Sequence, residues 1–316
     1  MKVDLDILEK EQLIGKLKLL EFQNATSPFR NANEKNVERR LSQALKKIPD
    51  EFHQAALSIF GSVLYINENM LNDCWKYLWN TLINKHKCSM QNIWLLELDR
   101  DQLRDEFYRA NQISGRLEDN LPWRSSHDII DMLNNLEENT YSDILLDKFK
   151  SLVSRDIWVV LVDISISGSS VISEINRIQK LASLLRGAEK PKIIALVQII
   201  TEEAIVKLQD TGHNFLYGLK IPNSCAFNSE KYDLIKDSGL KIKAKELCIW
   251  FADTFILPYE NRLAKLAKSD KNIAYFGFGG MGWNIVTHKN TPNNFICAMR
   301  LKTLAWSRIR PSCAKR

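Results

Sequence analysis

Asp156-Ile157-Trp158-Val159-Val160-Leu161-Val162-Asp163-Ile164-Ser165-Ile166-Ser167-Gly168-Ser169-Ser170-Val171-Ile172-Ser173-Glu174 is the stretch that decides the fold. Six apolar residues, Ile157 to Val162, lead straight into Asp163. A run of that length without polar alternation reads as a strand buried on both faces of a parallel sheet. Ser165 to Ser170 then forms a short loop of small residues that opens into a helical pattern. A loop of this kind at a helix N-terminus offers backbone N–H groups and hydroxyls to a phosphate, and the helix dipole favours the anion. Asp163 at the strand end can hold a ribose hydroxyl or a metal ion. Gly168 allows close backbone approach, and Ser165, Ser167, Ser169 and Ser170 crowd hydroxyls into the turn.

Working outward, strands and helices alternate. Asn92 to Leu98 reads as a short buried strand, Asp101 to Ala110 as a helix, and Asp128 to Asn135 and Ser142 to Leu152 as two more. A helix is expected from Ser170 to Leu185, closed by Arg186-Gly187 as a basic last turn and a C-terminal glycine. Lys192 to Ile200 is a third strand, and Thr201-Glu202-Glu203 caps the helix after it. Phe215 to Ile221 is a fourth strand, and Lys243 to Ile256 a further helix. Such alternation predicts βαβ crossovers and an α/β fold with a mainly parallel sheet, whose ligands sit at the carboxyl ends of the strands. Residues 1–87 read instead as a helical region, with an amphipathic helix over residues 4–22 (Leu5, Leu8, Leu13, Leu17, Leu20). The expected organisation is a helical N-terminal region over 1–87, an α/β core over 88–294 and a basic tail over 295–316.

Charge separates that tail from the rest. The 316 residues carry a formal net charge of +6. Arg300, Lys302, Arg308, Arg310, Lys315 and Arg316 supply six basic groups, and residues 295–316 contain no acid. Removing those six from the 44 basic residues leaves 38, against 38 acids. The rest of the chain is therefore neutral, and nucleic acid is not the expected partner. No apolar run approaches the ~20 residues that span a bilayer, and the N-terminus carries acids in place of a signal-peptide core. A cytoplasmic protein is expected.

Several chemistries lack their residues. The six cysteines form no C-x-x-C, and the five histidines match no metal spacing, so no structural metal is expected. Neither G-x-S-x-G nor G-x-x-x-x-G-K-[ST] occurs. Gly277-Phe278-Gly279-Gly280-Met281-Gly282 satisfies G-x-G-x-x-G, but it leads into Trp283 to Thr287, a strand-like segment with too little chain after it for a dinucleotide-binding unit. These glycines are expected to make a tight connection between two strands.

The Asp163 loop resembles the signature of phosphoribosyltransferases: an apolar strand, two acids, three variable residues, then Thr/Ser-Gly-x-Thr/Ser. Val162-Asp163 falls on the acids, Ile164-Ser165-Ile166 on the spacer and Ser167-Gly168-Ser169-Ser170 on the phosphate-binding end. The first acid is replaced by Val162. The resemblance implies that Asp163 takes a ribose hydroxyl and, if the protein is an enzyme, is its catalytic residue. It also implies that Ser165, Ser167, Gly168, Ser169 and Ser170 surround the phosphate. Over residues 37 to 294 the chain resembles the PRTase-CE group, phosphoribosyltransferase-like proteins encoded with bacterial conflict and anti-phage systems. The resemblance rests on the helical front region, the Asp-x-Ser-x-Ser-Gly loop and Pro292-Asn293-Asn294. After Pro292-Asn293-Asn294 the chain departs from the group, which points to residues 295–316 as the product of a shifted reading frame or a fusion.

This resemblance implies a nucleotide or phosphoribosyl ligand, Mg²⁺ carried with phosphoribosyl pyrophosphate, and partner proteins from a defence operon. Ser114-Gly115-Arg116 is the candidate for the pyrophosphate. Two functions follow. One is a phosphoribosyltransferase or related C1′ glycosyl transferase or hydrolase, whose cationic transition state needs positioning and charge neutralisation more than a strong base. The other is a catalytically inactive nucleotide sensor or protein-interaction module, which the missing first acid favours.

Overall fold

The computed structural model describes residues 45–287, apart from 47, 63, 67, 99–102, 114–123, 135–142, 259–264, 266–267, 269 and 278–279. The described chain divides into two compact units, one within residues 1–68 and 222–316, the other over residues 69–221. The boundary expected near residue 88 thus falls inside the second unit, because the helix before it packs on the sheet after it.

That unit is built on four parallel strands, β2 (Ile93–Glu97), β3 (Ile157–Ser165), β4 (Lys192–Thr201) and β5 (Phe215–Ile221), hydrogen-bonded in chain order. The register fixes the levels across the sheet: Leu161 stands beside Glu97 and Leu196, and Val162 beside Val197. Side chains alternate between faces. Trp94, Leu96, Trp158, Val160, Val162, Ala195 and Val197 form one apolar layer with α4 (Ser126–Asn134), α5 (Asp143–Val153), α6 (Ser169–Arg186) and α7 (Glu202–Asp210). Ile93, Leu95, Ile157, Val159, Leu161, Ile194 and Leu196 form the opposite layer with α2 (Glu68–His86) and α3 (Leu103–Asn111). The result is a three-layer α/β/α unit, the α/β fold expected of the sequence. At β5 the layer tightens: a Cβ on Gly218 would lie 2.6 Å from Cys74 Cβ on α2, so only glycine fits beneath that helix.

The other unit is mainly helical. Leu45, Phe52, Ala55, Ala56 and Ile59 around α1 (His53–Gly61) pack with Leu247, Cys248 and Phe251 of α8 (Ser238–Phe251) and with Phe276 of α9 (Asn272–Phe276). Two differences from the sequence reading occur here. A three-residue strand, β1 (Leu64–Ile66), interrupts the helical front region and pairs in parallel with β6 (Ile285–Thr287). A strand of three residues is too short to show a period of two. Residues 272–276 are helical, so the glycines that follow join a helix to a strand rather than two strands. Asn284, fully buried, donates through Nδ2 to Ile59 O at 2.8 Å and to Ser62 Oγ at 2.7 Å, fastening residues far apart in sequence. Among the described residues no helix is long and apolar enough to cross a membrane.

Candidate functional site

The site begins with β3, which runs three residues, Asp163 to Ser165, beyond its six-residue apolar core. Asp163 is therefore within the strand, and the turn that leaves it is Ile166-Ser167-Gly168. Asp163 is half-buried, and its Oδ1 accepts from Ile164 N at 2.6 Å. Alternation puts Asp163 on the α2/α3 face and Val162 on the other, where Val162 is fully buried among the residues of α6. An acid at 162 would be buried in that apolar layer, at a large desolvation cost. The missing first acid is therefore matched to its surroundings in this chain.

Gly168 is the N-cap of α6, in the left-handed conformation (φ 74°, ψ −16°). No side chain caps the helix there. The first N–H groups of an 18-residue helix thus emerge beside Ser169 and Ser170, both exposed. Unpaired N–H groups and the positive end of the dipole make such a helix start an anion position. Ser167 Oγ donates to Ser169 Oγ at 3.3 Å, so the hydroxyls form a small cluster. Ser165, at the last strand position, is buried, and its Oγ has no partner among the described residues.

A neighbouring strand braces this turn. Thr201, fully buried at the end of β4, donates through Oγ1 to Ile166 O and accepts from Ala204 N at 3.1 Å. One hydroxyl therefore caps α7 and anchors the loop after β3. A Cβ on Gly168 would meet Ala204 O at 3.4 Å, so the turn lies close to the first turn of α7. From the same helix Lys207 Nζ donates to Ser169 Oγ at 2.8 Å.

The end of β2 carries a different arrangement. Glu97, fully buried, accepts the N–H of Arg104 at 2.8 Å through Oε1 and so caps α3. Burial pushes its carboxyl above the ordinary carboxylate range, while the Arg104 N–H and the nearby Arg104 and Arg124 charges pull it back. Arg104 is also fully buried, and its guanidinium nitrogens and Glu97 Oε2 have no hydrogen-bond partner among the described residues. Alternation places Glu97 on the same face of the sheet as Asp163, one strand away.

The structure thus brings Asp163, Ser165, Ser167, Gly168, Ser169 and Ser170 together at one carboxyl edge. Ser114, Gly115 and Arg116 lie outside the described residues, as do Pro292 to Asn294 and the basic tail. Thr201, Lys207, Glu97 and Arg104 were not identified from the sequence. Glu97 left one signal, a lone acid at the end of an apolar strand. Thr201 was legible as a cap but not as the brace of another loop. Among the described residues no group of three or more His, Cys, Asp or Glu side chains could hold a metal ion.

A family model described as PRTase-CE matches residues 37–311. The match runs past Pro292-Asn293-Asn294 to residue 311. No curated protein and no solved structure matches the chain.

Proposed function

The chain belongs to the PRTase-CE family, and from that premise we propose that it binds a phosphoribosyl or nucleotide ligand at the Asp163–Ser170 loop, as a sensor or effector in a bacterial defence system. The observation that carries this reading is the uncapped start of α6. Gly168 takes the left-handed conformation there, and exposed serines flank the N–H groups of a long helix at the carboxyl edge of a parallel sheet. The phosphate would be held by those N–H groups and by the hydroxyls of Ser167, Ser169 and Ser170. The ribose would lie toward Asp163. Mg²⁺ fits this site only as an ion carried by the ligand's own pyrophosphate, since the loop offers a single acid and Mg²⁺ binds readily through few carboxylates plus substrate phosphates. The ion would neutralise pyrophosphate charge.

If the protein transfers the phosphoribosyl group, Asp163 orients the sugar and the loop fixes its 5′ end. The cationic sugar would then draw its stabilisation from positioning and charge. A second reading, a sensor without turnover, is favoured by Val162. Its burial leaves Asp163 as the one acid of the pair. Partner proteins of a defence operon would then read the ligand-bound state.

One experiment tests both. The protein is incubated with phosphoribosyl pyrophosphate, Mg²⁺ and a nucleotide mixture, and pyrophosphate release is followed beside the thermal midpoint. Turnover lost in Asp163→Ala supports the transferase. A midpoint raised by ligand without pyrophosphate release supports the sensor. Neither signal, in protein shown to be folded, removes the ligand site altogether.

A further inference from the structure

We infer that Lys207 is a ligand residue of the phosphate loop, supplied by α7, and that it tunes the loop to a terminal phosphate monoester. This rests on the proposed phosphate site at Asp163–Ser170 and adds to it a residue from outside the loop.

The loop itself carries no formal positive charge. It offers N–H groups, hydroxyls and Asp163, which is acidic. Phosphate held by these alone would gain from the helix dipole only within the first turn. Lys207 stands 38 positions along the chain from Ser169, in the last turn of α7, yet its ammonium is hydrogen-bonded to Ser169 Oγ at 2.8 Å. Ser169 is the first residue of α6, directly after the Gly168 cap. Ser169 and Lys207 are both exposed, so a ligand can reach the pair. Ser165, only 4% exposed, ends β3 just before the turn with an Oγ that has no partner among the described residues, a second polar group left open at this strand end.

An ammonium has three donors and no acceptor. One is spent on Ser169 Oγ, leaving others for a phosphate oxygen beside it. The donation also leaves the lone pairs of Ser169 partly occupied, turning its own O–H outward as a donor. Both effects suit an anion with several acceptor oxygens.

The position is fixed by more than the lysine's own reach. Thr201 caps α7 and holds Ile166 O, and Gly168 lies against Ala204. The helix carrying Lys207 and the turn carrying the serines are therefore set against each other before any ligand arrives. Two acids stand in the first turn of α7, Glu202 and Glu203. Glu202 is paired with Lys220 at 3.2 Å. Burial raises the Glu203 carboxyl, and the charge of Lys207 pulls it back. Lys207 thus offsets an acid that would otherwise repel the ligand.

A phosphate monoester carries nearly two charges above its second pKa of about 6, a diester only one. A compact lysine charge at the loop rewards the monoester most. The favoured ligand is then a sugar or nucleoside with a terminal 5′-phosphate, in preference to one embedded in a diester.

The test is calorimetric titration of the full chain with ribose 5-phosphate, its methyl phosphodiester and ribose, for wild type, Lys207→Ala, Lys207→Arg and Gly168→Ala. Lys207→Ala should weaken ribose 5-phosphate by about tenfold or more, as expected for loss of one charge-assisted contact. Lys207→Arg should restore most of it. The preference for monoester over diester should shrink in Lys207→Ala, and the weakening should itself diminish at high salt. A structural role would change thermal stability and leave the monoester preference intact. If wild type binds and Gly168→Ala does not, while Lys207→Ala binds like wild type, the assignment of Lys207 is wrong and the loop reading stands. If wild type binds none of the probes, the loop reading itself falls, and Lys207 with it.

Discussion

Two glycine-bearing turns invite comparison, the Ser165–Ser170 loop and the Gly277–Gly282 run. By motif alone the Gly277–Gly282 run is the more ligand-like, since it satisfies a dinucleotide pattern. In the structure three of its carbonyls are taken up by the protein: Gly282 O accepts from Phe227 N at 3.0 Å, Met281 O from Asn228 N at 2.8 Å and Gly280 O from Asn228 Nδ2 at 3.1 Å. It follows a five-residue helix and leads to a three-residue strand. The serine loop has one glycine, but a helix of 18 residues starts immediately after it. What separates them is the element that comes next. Only the serine loop is followed by a helix that aims its first N–H groups outward.

The largest effect is expected where the serine loop is braced. Thr201→Val keeps the shape but removes both hydrogen bonds of the hydroxyl, leaving Ile166 O and Ala204 N unpaired at a buried position. A lost cap and a stranded carbonyl together cost about 2–3 kcal/mol. Chemical denaturation should report that loss, and ribose 5-phosphate binding should fall with it. The Gly277–Gly282 run should be indifferent to this change, because its hydrogen bonds go elsewhere.

Glycine substitutions sharpen the contrast. Gly280 has φ 67°, and a Cβ there would lie 3.0 Å from Asn272 Cβ. Gly280→Ala should cost about 2 kcal/mol with no change in ligand affinity. Gly168→Ala, at φ 74° with Ala204 O at 3.4 Å, should cost about 1–2 kcal/mol and also displace the α6 start, abolishing measurable ribose 5-phosphate binding. Equal binding losses for the two variants would break the distinction drawn between the turns.

Much of the fold could be read from the chain because its parallel strands are unalternated apolar runs. The span Phe215–Ile221 was recovered to the residue, and Lys192–Thr201 to within one. By residue type the strand holding the site ends at Asp163. It runs on to Ser165, because Ile164 and Ser165 pair with Ile199 and Ile200. Backbone pairing leaves no signature in residue type. The short β1 was hidden for a related reason, since it is specified by Val286 and its neighbours more than two hundred residues later. Within the site, the loop residues were legible because they are contiguous. Lys207 and Thr201 were not, because their part depends on two βα units meeting edge to edge.

The end of β2 supplies the smallest effect and a control for both turns. Glu97 closes α3 with a carboxylate where the serine loop leaves α6 open. One strand end is filled by a side chain of the protein, and its neighbour is left for something else. Because burial raises the Glu97 carboxyl, the folded state prefers its protonated form. Its contribution to stability is therefore fully present below the unfolded carboxylate value and is lost as pH rises through the raised value, the reverse of a salt-bridged acid. Glu97→Gln keeps an acceptor for the Arg104 N–H and removes the titration. Thermal midpoints measured from pH 4 upward should show wild type losing stability as pH rises across that window, with the loss absent in Glu97→Gln. Parallel curves for the two proteins would mean that the carboxyl titrates as an ordinary one, and that the end of β2 is as open to water as the serine loop beside it.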